Sequence, residues 1–428
     1  MVITKRSLVL GATATIVAGV ALTGAGVRLS QSQAFFRESP KELVDEVWQI
    51  INRQYVDATF NQVNWQAIRS EYLERSYADQ EEAYDAIQEM LEKLNDPYTR
   101  FMNPEEFKNM QIDTSGELTG VGITIAKDEE TEQLVVIAPI EETPAFEAGI
   151  LARDVIVEID GQSTEGMEVN DAVQLIRGKP GTAVTLTILR EEQERDYTIV
   201  RDKIEIHPVR ARVEETPTDT IGYIRLTQFS SRASKEMREA IRDLEAQNVD
   251  GYILDLRSNP GGLLYSSVEI ARMWLDQGAI VSTVNRLGTI ERQEANGRAL
   301  TDKPLVVLVD GGSASASEIL SGALQDNERA TLVGTKTFGK GLVQSVRGLG
   351  DGSGLAVTIA KYLTPNGRDI HKEGIVPDVI SEMTDEERKE LQTNRTQIGT
   401  EEDSQFVQAL KTLNQEVAAF KKSQLAPQ

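Results

Sequence analysis

The second half of the chain carries the strongest constraint on its fold, because continuous apolar runs alternate there with helical patterns. The apolar runs predict strands at Ile221–Leu226, Tyr252–Leu256 and Leu305–Val309. Helices are predicted between and after them, at Ala233–Gln247, Leu263–Leu275 and Ser315–Gln325. A strand that is apolar throughout has both faces buried, so this alternation predicts a sheet covered by helices on both sides. We therefore expect an α/β core.

Two segments of different texture precede this core. Residues 40–94 contain no glycine and repeat apolar residues at helical spacing, and the irregular stretch Pro97–Pro104 closes them. Short β-rich runs then predict strands at Val121–Ile125, Leu134–Ile137, Val155–Ile159 and Ala183–Leu189, with one helix at Asn170–Arg177. The charged run Glu191–Lys203 marks the end of this β-rich domain.

The fold class that we expect is multidomain α/β. The predicted boundaries are 1–34 for an export segment, 35–112 for a helical domain, 113–204 for the β-rich domain, 205–382 for the core and 383–428 for a tail. The tail is charged and rich in glutamine, and Phe406–Phe420 predicts an amphipathic helix within it.

Composition excludes several classes of function. The formal net charge is -23 over 428 residues, and a surface this acidic repels phosphate, so we expect no nucleic-acid partner. The absence of cysteine excludes a thiol nucleophile and thiolate metal sites. The two histidines, His207 and His371, are far apart in the sequence, so we expect no structural metal and no cofactor.

The first residues are typical of an export signal. Lys5 and Arg6 precede the apolar run Leu8–Val27, and Ser32 and Ala34 offer a cleavage site before Phe35. The alternative is an uncleaved anchor, because about 20 apolar residues can span a bilayer. We expect membrane contact only through this segment, and only if it is not cleaved.

Three segments of the core carry candidate chemistry. Asp310-Gly-Gly-Ser-Ala-Ser-Ala-Ser-Glu318 lies between a predicted strand and a helix, where backbone amides can stabilise an oxyanion. The residues alone leave Ser313, Ser315 and Ser317 open as the nucleophile, and serines beside glycine are also common helix caps.

The second segment is Thr335-Lys-Thr-Phe-Gly-Lys340-Gly-Leu-Val-Gln344. Without a suitable histidine pair, a lysine could act as the base, but only in its neutral form. Lowering the pKa of a lysine from about 10.4 to about 7 costs roughly 4.6 kcal/mol, so the side chain must be desolvated. Lys340, between two glycines and before an apolar strand, suits that role better than Lys336, which has polar neighbours.

The third segment, Asp255-Leu-Arg-Ser-Asn-Pro-Gly-Gly262, follows another predicted strand. Its two glycines can leave backbone amides facing a ligand, although a plain glycine turn would have the same sequence.

Four motifs, in this order, resemble the carboxyl-terminal processing peptidases, which are exported serine peptidases with a Ser–Lys dyad. The motifs are Gly222-Tyr-Ile-Arg-Leu, Leu254-Asp-Leu-Arg-Ser-Asn-Pro-Gly-Gly, Ser313-Ala-Ser-Ala-Ser-Glu and Phe338-Gly-Lys-Gly-Leu-Val-Gln. The resemblance extends over about residues 40–380. It implies that the core is a serine peptidase domain and that both histidines lie outside the active site.

The resemblance also assigns roles to residues. Ser315 would be the nucleophile, Lys340 the base and Gln344 the residue that orients Lys340, while the amides of Gly261 and Ala316 would form the oxyanion hole. Four residues of extended strand span about 13 Å, so Gly-Lys-Gly must bend if Gln344 is to reach Lys340.

The β-rich domain resembles a bacterial PDZ domain, most clearly in Pro144-Ala-Phe-Glu-Ala-Gly-Ile and Asp154-Val-Ile-Val-Glu-Ile-Asp-Gly. Arg153-Asp154 stands where that family usually has Gly-Asp. The resemblance implies that Gly120, Val121, Gly122 and Ile123 bind a free carboxylate while the peptide adds as a strand. We expect protein substrates with free, apolar C-termini, and Arg177 is a candidate link that signals peptide binding to the core.

Three other functions remain open at this point. A crotonase-like enzyme would also have an α/β core with a glycine-rich oxyanion hole, but it would need no PDZ domain or export signal. A non-catalytic PDZ scaffold would not need Ser315, Lys340 and Gln344 together. A trypsin-like protease would carry Gly-Asn-Ser-Gly-Gly, which is absent. The expected location is a periplasm or a thylakoid lumen, and a homodimer through the terminal helices is a further expectation.

Overall fold

The structure is a computed structural model that describes residues 39–128, 131–140 and 142–425. The predicted export signal, residues 1–34, lies outside the described residues. The described chain forms two compact units. The first contains residues 39–104 and 343–360, and the second contains the other described residues. Within the described ranges, no helix is both long and apolar enough to cross a bilayer.

The N-terminal elements are mainly helical, as predicted. They are α1 (Pro40–Gln54), a 3₁₀ turn (Phe60–Gln62), α2 (Trp65–Glu74), α3 (Gln80–Glu92) and the short strand β1 (Arg100–Met102). Ser39 caps α1 in a capping box with Glu42, which satisfies amides that the first helical turn leaves unpaired. The strand β1 lies in the stretch Pro97–Pro104, which we had expected to be irregular.

The β-rich segment begins with the helix α4 (Pro104–Ser115). It continues with β2 (Glu117–Gly120), β3 (Ile123–Lys127), β4 (Leu134–Pro139), α5 (Pro144–Glu147), β5 (Val155–Ile159), β6 (Gln162–Ser163), α6 (Val169–Ile176), β7 (Ala183–Arg190), β8 (Gln193–Val200) and β9 (Asp202–Glu205). The charged run Glu191–Lys203, expected as a boundary, instead forms β8 and the start of β9.

The α/β core begins with β10 (Val209–Glu215), β11 (Thr220–Leu226), α7 (Ala233–Ala246), β12 (Gly251–Asp255), α8 (Leu264–Trp274), β13 (Ala279–Asn285), β14 (Ile290–Glu294), β15 (Leu305–Val309) and α9 (Ala316–Asp326). It continues with β16 (Thr331–Gly334), β17 (Leu342–Gly348), β18 (Gly354–Leu363), β19 (Val379–Ile380), α10 (Asp385–Thr393), a 3₁₀ turn (Arg395–Gln397) and α11 (Ser404–Leu425).

The first unit packs its helices around one apolar core. Leu43, Val47, Ile87 and Met90 contribute to this core from α1 and α3, and Leu355 contributes from β18. β18 pairs antiparallel with β1 and also pairs with β17. A segment predicted to belong to the peptidase core, residues 343–360, therefore packs with the N-terminal helices.

The second unit contains the predicted parallel sheet. Among the described residues its strand order is β10-β11-β12-β15-β16-β19. β10 pairs antiparallel with β11, and the other neighbours are parallel. Every residue of β12 and β15 is buried, as the continuous apolar runs predict. Gly261 and Ser315 follow the carboxyl ends of these two strands, and Lys340 follows that of the neighbouring strand β16, at the same edge of the sheet.

The β-rich segment forms its own antiparallel sheet with the order β3-β4-β5-β7-β8, in which β6 also pairs with β5. Its core comes from residues such as Val136, Ile156, Leu186 and Ile188, with Ala172 from α6. The strand β3 stands at the edge of this sheet, so one of its sides is unpaired within the sheet as described.

Candidate active site

Ser315 occupies a strained turn between β15 and α9. Its φ is 54° and its ψ is -110°, a region that non-glycine residues rarely adopt. The residue caps the N-terminus of α9, where the unpaired amides of the first turn create positive potential. Its side chain is therefore presented at a point that favours a developing negative charge on oxygen.

The neighbouring serines are occupied in backbone contacts. Ser313 Oγ donates to Leu256 O at 2.9 Å, and Ser317 Oγ donates to Asn259 O at 2.9 Å. Both are completely buried, whereas Ser315 is partly exposed. The sequence left the three serines open, and this geometry favours Ser315 as the nucleophile.

Glu318 joins the serine segment to the lysine segment. It is completely buried, and its Oε2 accepts from the amides of Ser315 and Lys340, each at 2.9 Å. Its Oε1 accepts from Thr337 Oγ1 at 2.6 Å and from Gly339 N at 2.7 Å. One carboxylate thus fixes both backbone segments that carry the predicted dyad. We did not predict this role, although Ser315-x-x-Glu318 has capping-box spacing.

Gly261 lies against the serine turn. It has a φ of 101°, and a β-carbon there would lie 2.9 Å from Ala316 N and from Ser315 Cβ. The structure therefore brings Ser315, Ala316 and Gly261 together, and no larger residue fits at Gly261. The amide of Gly261 already donates to Asn259 Oδ1 at 2.9 Å. This contact was not expected for a residue predicted to donate to an oxyanion.

Lys340 follows a bend in the chain. Gly339 has a φ of 91°, and β17 begins only at Leu342, so the Gly-Lys-Gly segment is not extended. The bend that the sequence analysis required is present. Gln344 lies on β17 within the first unit, and its Nε2 is buried without a hydrogen-bond partner among the described residues. Its role in orienting Lys340 stays a prediction.

Tyr362 closes the serine turn from β18. Its hydroxyl donates to Ser315 O at 3.2 Å, and its amide donates to Gly341 O at 3.1 Å. Burial raises the pKa of Tyr362 well above its ordinary value, and the nearby Glu318 carboxylate adds to this effect. The hydroxyl therefore stays protonated and serves as a donor.

The two histidines differ in their surroundings. His207 is about half exposed, and its Nδ1 lies 2.9 Å from Glu236 Oε1. His371 lies beside the lysine segment, because a β-carbon on Gly341 would be 2.8 Å from His371 N and 3.0 Å from its Cβ. The resemblance implied that both residues lie outside the active site. The structure places the backbone of His371 next to it.

The carbonyl groups of the predicted carboxylate loop are hydrogen-bonded to the β-rich segment. Val121 O accepts from Ala145 N and Gly122 O accepts from Ile140 N, both at 2.8 Å. These carbonyl groups therefore point back into the β-rich segment. Ile123 continues into the edge strand β3, beside which α6 packs. A strand edge next to a helix is the geometry to which a peptide can add as a further strand.

Arg177 connects this loop to α4. Its stem lies against Gly120, since a β-carbon on that glycine would be 3.8 Å from Arg177 Cγ. Its Nη1 donates to Asn109 Oδ1 on α4. Burial raises the pKa of Asp113 on the same helix, and Arg177 opposes that effect. These contacts of Arg177 lie in α4 and the carboxylate loop, so its proposed reach towards the core stays a prediction.

Comparison with known families identifies three regions of the chain. Residues 220–381 match the model of peptidase family S41. Residues 135–190 match a PDZ domain, and residues 36–92 match the tricorn protease C1 domain. The peptidase and PDZ matches fall on the segments where the sequence resemblance placed them.

Several characterised proteins are similar over most of their length. A carboxyl-terminal-processing protease of Synechocystis sp. is 51% identical over 81% of this chain and 82% of its own length. A chloroplastic carboxyl-terminal-processing peptidase of Arabidopsis thaliana is 44% identical over 78% of this chain and 67% of its own. A solved photosystem II D1 C-terminal processing protease superposes with a TM-score of 0.55 and 38% identity, covering 81% of this chain and 94% of that one.

Proposed function

Because the chain belongs to the carboxyl-terminal-processing proteases of peptidase family S41, we propose that it hydrolyses exported proteins near their C-termini with a Ser315–Lys340 dyad. The observation that carries this assignment is the buried carboxylate of Glu318, which binds the amides of both Ser315 and Lys340. Two residues that are separate in the sequence are thereby fixed to one anchor.

The reaction is acyl transfer to serine. Ser315 Oγ attacks the scissile carbonyl carbon while the neutral amine of Lys340 accepts the hydroxyl proton. The tetrahedral intermediate then collapses, and the amine leaves with the proton from Lys340. In the second step water attacks the ester while Lys340 accepts a proton from that water, and Lys340 then returns the proton to the departing Ser315 Oγ. A lysine base predicts activity that rises as the pH becomes alkaline.

The oxyanion of this intermediate requires preorganised donors. Ala316 N is suited to this role, because it is the first amide of α9 and has no acceptor within the helix. Gly261 N–H already donates to Asn259 Oδ1. It can therefore stabilise the oxyanion only by forming a bifurcated hydrogen bond to both acceptors, or by breaking its bond to Asn259.

The PDZ domain selects the substrate by its free C-terminus. The terminal carboxylate binds the loop Gly120–Ile123, and the preceding residues add beside the edge strand β3. The partly buried side chains of Ile123 and Ile125 pack on the domain core and favour apolar residues near the substrate end.

We further propose an extracytoplasmic location, in a periplasm or a thylakoid lumen, on the basis of the basic and apolar N-terminal sequence. The relatives include bacterial and chloroplastic processing proteases, which agrees with such a location. The solved relative is named for processing the photosystem II D1 protein, so a precursor tail of that kind is the first substrate to test.

The dyad is tested by alanine substitution. We expect Ser315→Ala and Lys340→Ala each to abolish cleavage of a peptide with a free apolar C-terminus while the protein stays folded. Lys336→Ala is the matched control, because this lysine lies in the same segment and should be dispensable. Loss of a general base usually costs at least about 10² in rate, so Lys340→Ala retaining more than about one per cent of activity would refute the assignment.

A further inference from the structure

The segment after the matched peptidase region reaches back to the active-site loop through a buried ion pair. Arg257 Nη1 donates to Asp403 Oδ1 at 2.9 Å, and Nη2 donates to Asp403 Oδ2 at 2.7 Å. Arg257 is 6% exposed and Asp403 is completely buried. Asp403 lies beyond residue 381, where the match to peptidase family S41 ends.

The same guanidinium also binds the end of β12. Arg257 Nε donates to Asp255 Oδ1 at 3.0 Å and Nη2 donates to Asp255 Oδ2 at 2.6 Å, while Tyr223 OH donates to Asp255 Oδ2 at 2.7 Å. Burial raises the pKa of Asp255, but the charge and hydrogen bonds of Arg257, the charge of Arg225 and the hydroxyl of Tyr223 together hold that pKa below its usual range. Removing one member of such a buried cluster leaves an uncompensated charge.

Asp403 is itself rigidly held. Its Oδ2 accepts from Gly399 N at 2.9 Å and its Oδ1 accepts from Phe406 N at 3.2 Å. Phe406 and Leu413 of α11 are buried against the central sheet, in a cluster that includes Ile253 of β12. The carboxylate therefore lies directly before a helix that packs on the strands leading to the active-site loops.

The loop that follows Arg257 leads directly to the nucleophile. Asn259 O accepts from Ala314 N at 3.0 Å and from Ser317 Oγ at 2.9 Å. Two residues further, Gly261 lies in contact range of Ser315, as described above. The loop Ser258–Gly262 is thus fixed by the serine segment at one end and by the Arg257–Asp403 pair at the other.

We propose that Asp403 is a positioning residue of the active site, which acts through Arg257 to hold the loop Ser258–Gly262 against Ser315. The short segment Gly399–Asp403, which precedes α11, is accordingly part of the structure that positions this loop. This inference rests on the proposed function, since it assigns the loop a role in binding the oxyanion. Its consequence is that loss of the carboxylate slows acylation more than it weakens peptide binding.

The test compares Asp403→Asn with Leu413→Ala in the full-length protein. Asp403→Asn keeps the shape of the side chain and removes its charge, whereas Leu413→Ala destabilises the same helix without touching Arg257. Peptide hydrolysis is measured below the melting transition of both variants, with the folded fraction taken from circular dichroism. We expect kcat to fall at least about tenfold in Asp403→Asn with little change in KM, and to stay near wild type in Leu413→Ala.

A second readout does not depend on activity. Hydrogen exchange of the backbone amides in residues 256–262 should accelerate in Asp403→Asn and not in Leu413→Ala, because only the first change frees the loop. A further outcome is that the wild-type protein cleaves no peptide while amide exchange in residues 256–262 is still faster in Asp403→Asn. That result would reject the proposed function and would still support the role of Asp403 in positioning the loop.

Two results would overturn the inference: an unchanged kcat in Asp403→Asn, or equal losses of kcat in the two variants at equal folded fraction. If Asp403→Asn fails to fold, Gln405→Leu replaces it in both measurements. This variant removes another acceptor of the same guanidinium, because Gln405 Oε1 accepts from Arg257 Nη1 at 3.2 Å. This milder change should lower kcat a few-fold, and no effect on kcat or on loop exchange would reject the proposal.

Discussion

At the scale of single residues, Glu318 is a buried carboxylate that binds both segments of the proposed Ser–Lys dyad. A buried charge is costly unless it is fully hydrogen-bonded, and Glu318 receives four donors from two segments of the chain. The carboxylate therefore acts as a rigid support for the backbone that carries Ser315 and Lys340.

Substituting Glu318→Gln should disrupt this support. The amide nitrogen of glutamine would face two donors that the carboxylate oxygen accepted, which costs about 1–3 kcal/mol of stability and moves the dyad. We expect kcat to fall by about 10–10², with a lower melting temperature. Glu328→Gln, an exposed residue just after α9, is the control in kinetic and thermal assays. Wild-type turnover in Glu318→Gln would show that the carboxylate is not needed for alignment.

The residues of the proposed site differ in how far the sequence alone could predict them. Ser315 and Lys340 could be assigned because they lie in short motifs that resemble a known family. Glu318 and Asn259 could not be assigned, since their roles depend on contacts with residues that are distant in sequence. The spacing of a helix cap was visible at Glu318, but nothing in the sequence indicated that both carboxylate oxygens would be buried.

At the scale of elements, the buried strands were the most predictable. The strands Val155–Ile159 and Leu305–Val309 have the predicted bounds, because both runs are mainly apolar and are bounded by turn residues. The charged strand β8 was missed, since an exposed edge strand carries no apolar pattern. The strand β1 was also missed, because three residues are too few to show alternation.

The helix α11 carries a partly buried carboxyl group, Glu416, whose charged form destabilises the folded protein. Burial raises the pKa of Glu416, although Thr331 Oγ1 donates to its Oε1. A raised pKa means that the stabilising form is the protonated one. Its contribution is complete below the pKa of the unfolded chain and is lost as the pH rises through the folded pKa. At neutral pH the charged Glu416 is therefore destabilising.

Glu416→Gln should raise the melting temperature at pH 8 by about 1–3 °C, because it removes the charge and keeps an acceptor for Thr331. The increase should shrink towards zero as the pH falls to about 4, where the native carboxyl is already protonated. Thermal unfolding across this pH range measures the effect, with the exposed Glu401→Gln as control. A pH-independent difference would contradict the assignment to titration.

At the scale of the whole molecule, the chain order does not follow the packing. Residues 343–360 belong to the predicted peptidase core by position, but they pack with the N-terminal helices. No local pattern could reveal this, because strand pairing between residues 100–102 and 354–356 depends on contacts across most of the chain. The sequence predicted the types of domain but not this exchange of a segment between them.

The PDZ domain is the proposed sensor of a substrate C-terminus, and Arg177 lies between its predicted carboxylate loop and α4. A peptide with a free apolar C-terminus should be cleaved well, and its C-terminally amidated twin poorly, because the amide lacks the charge that the loop binds. We expect Arg177→Ala to lower turnover more than peptide binding, as measured by kinetics and by fluorescence anisotropy.

Arg195→Ala, an exposed change on β8, is the matched control for this experiment. Equal cleavage of the acid and the amide would reject carboxylate sensing. Normal turnover in Arg177→Ala would reject only the role of this arginine in signalling peptide binding to the core.

Asp403 comes late in the chain, so it is synthesised after the other residues of the proposed active site. A ribosome makes Arg257, Ser315 and Lys340 before it makes Asp403, so a growing chain contains the proposed nucleophile while one partner of Arg257 is still missing. During that interval the loop Ser258–Gly262 keeps its contacts with the serine segment but lacks the contact through Arg257 to Asp403. On the proposed role of Asp403, a chain synthesised only as far as residue 402 would turn over peptide at least about tenfold more slowly, and full activity would follow only after residue 403 has joined the fold.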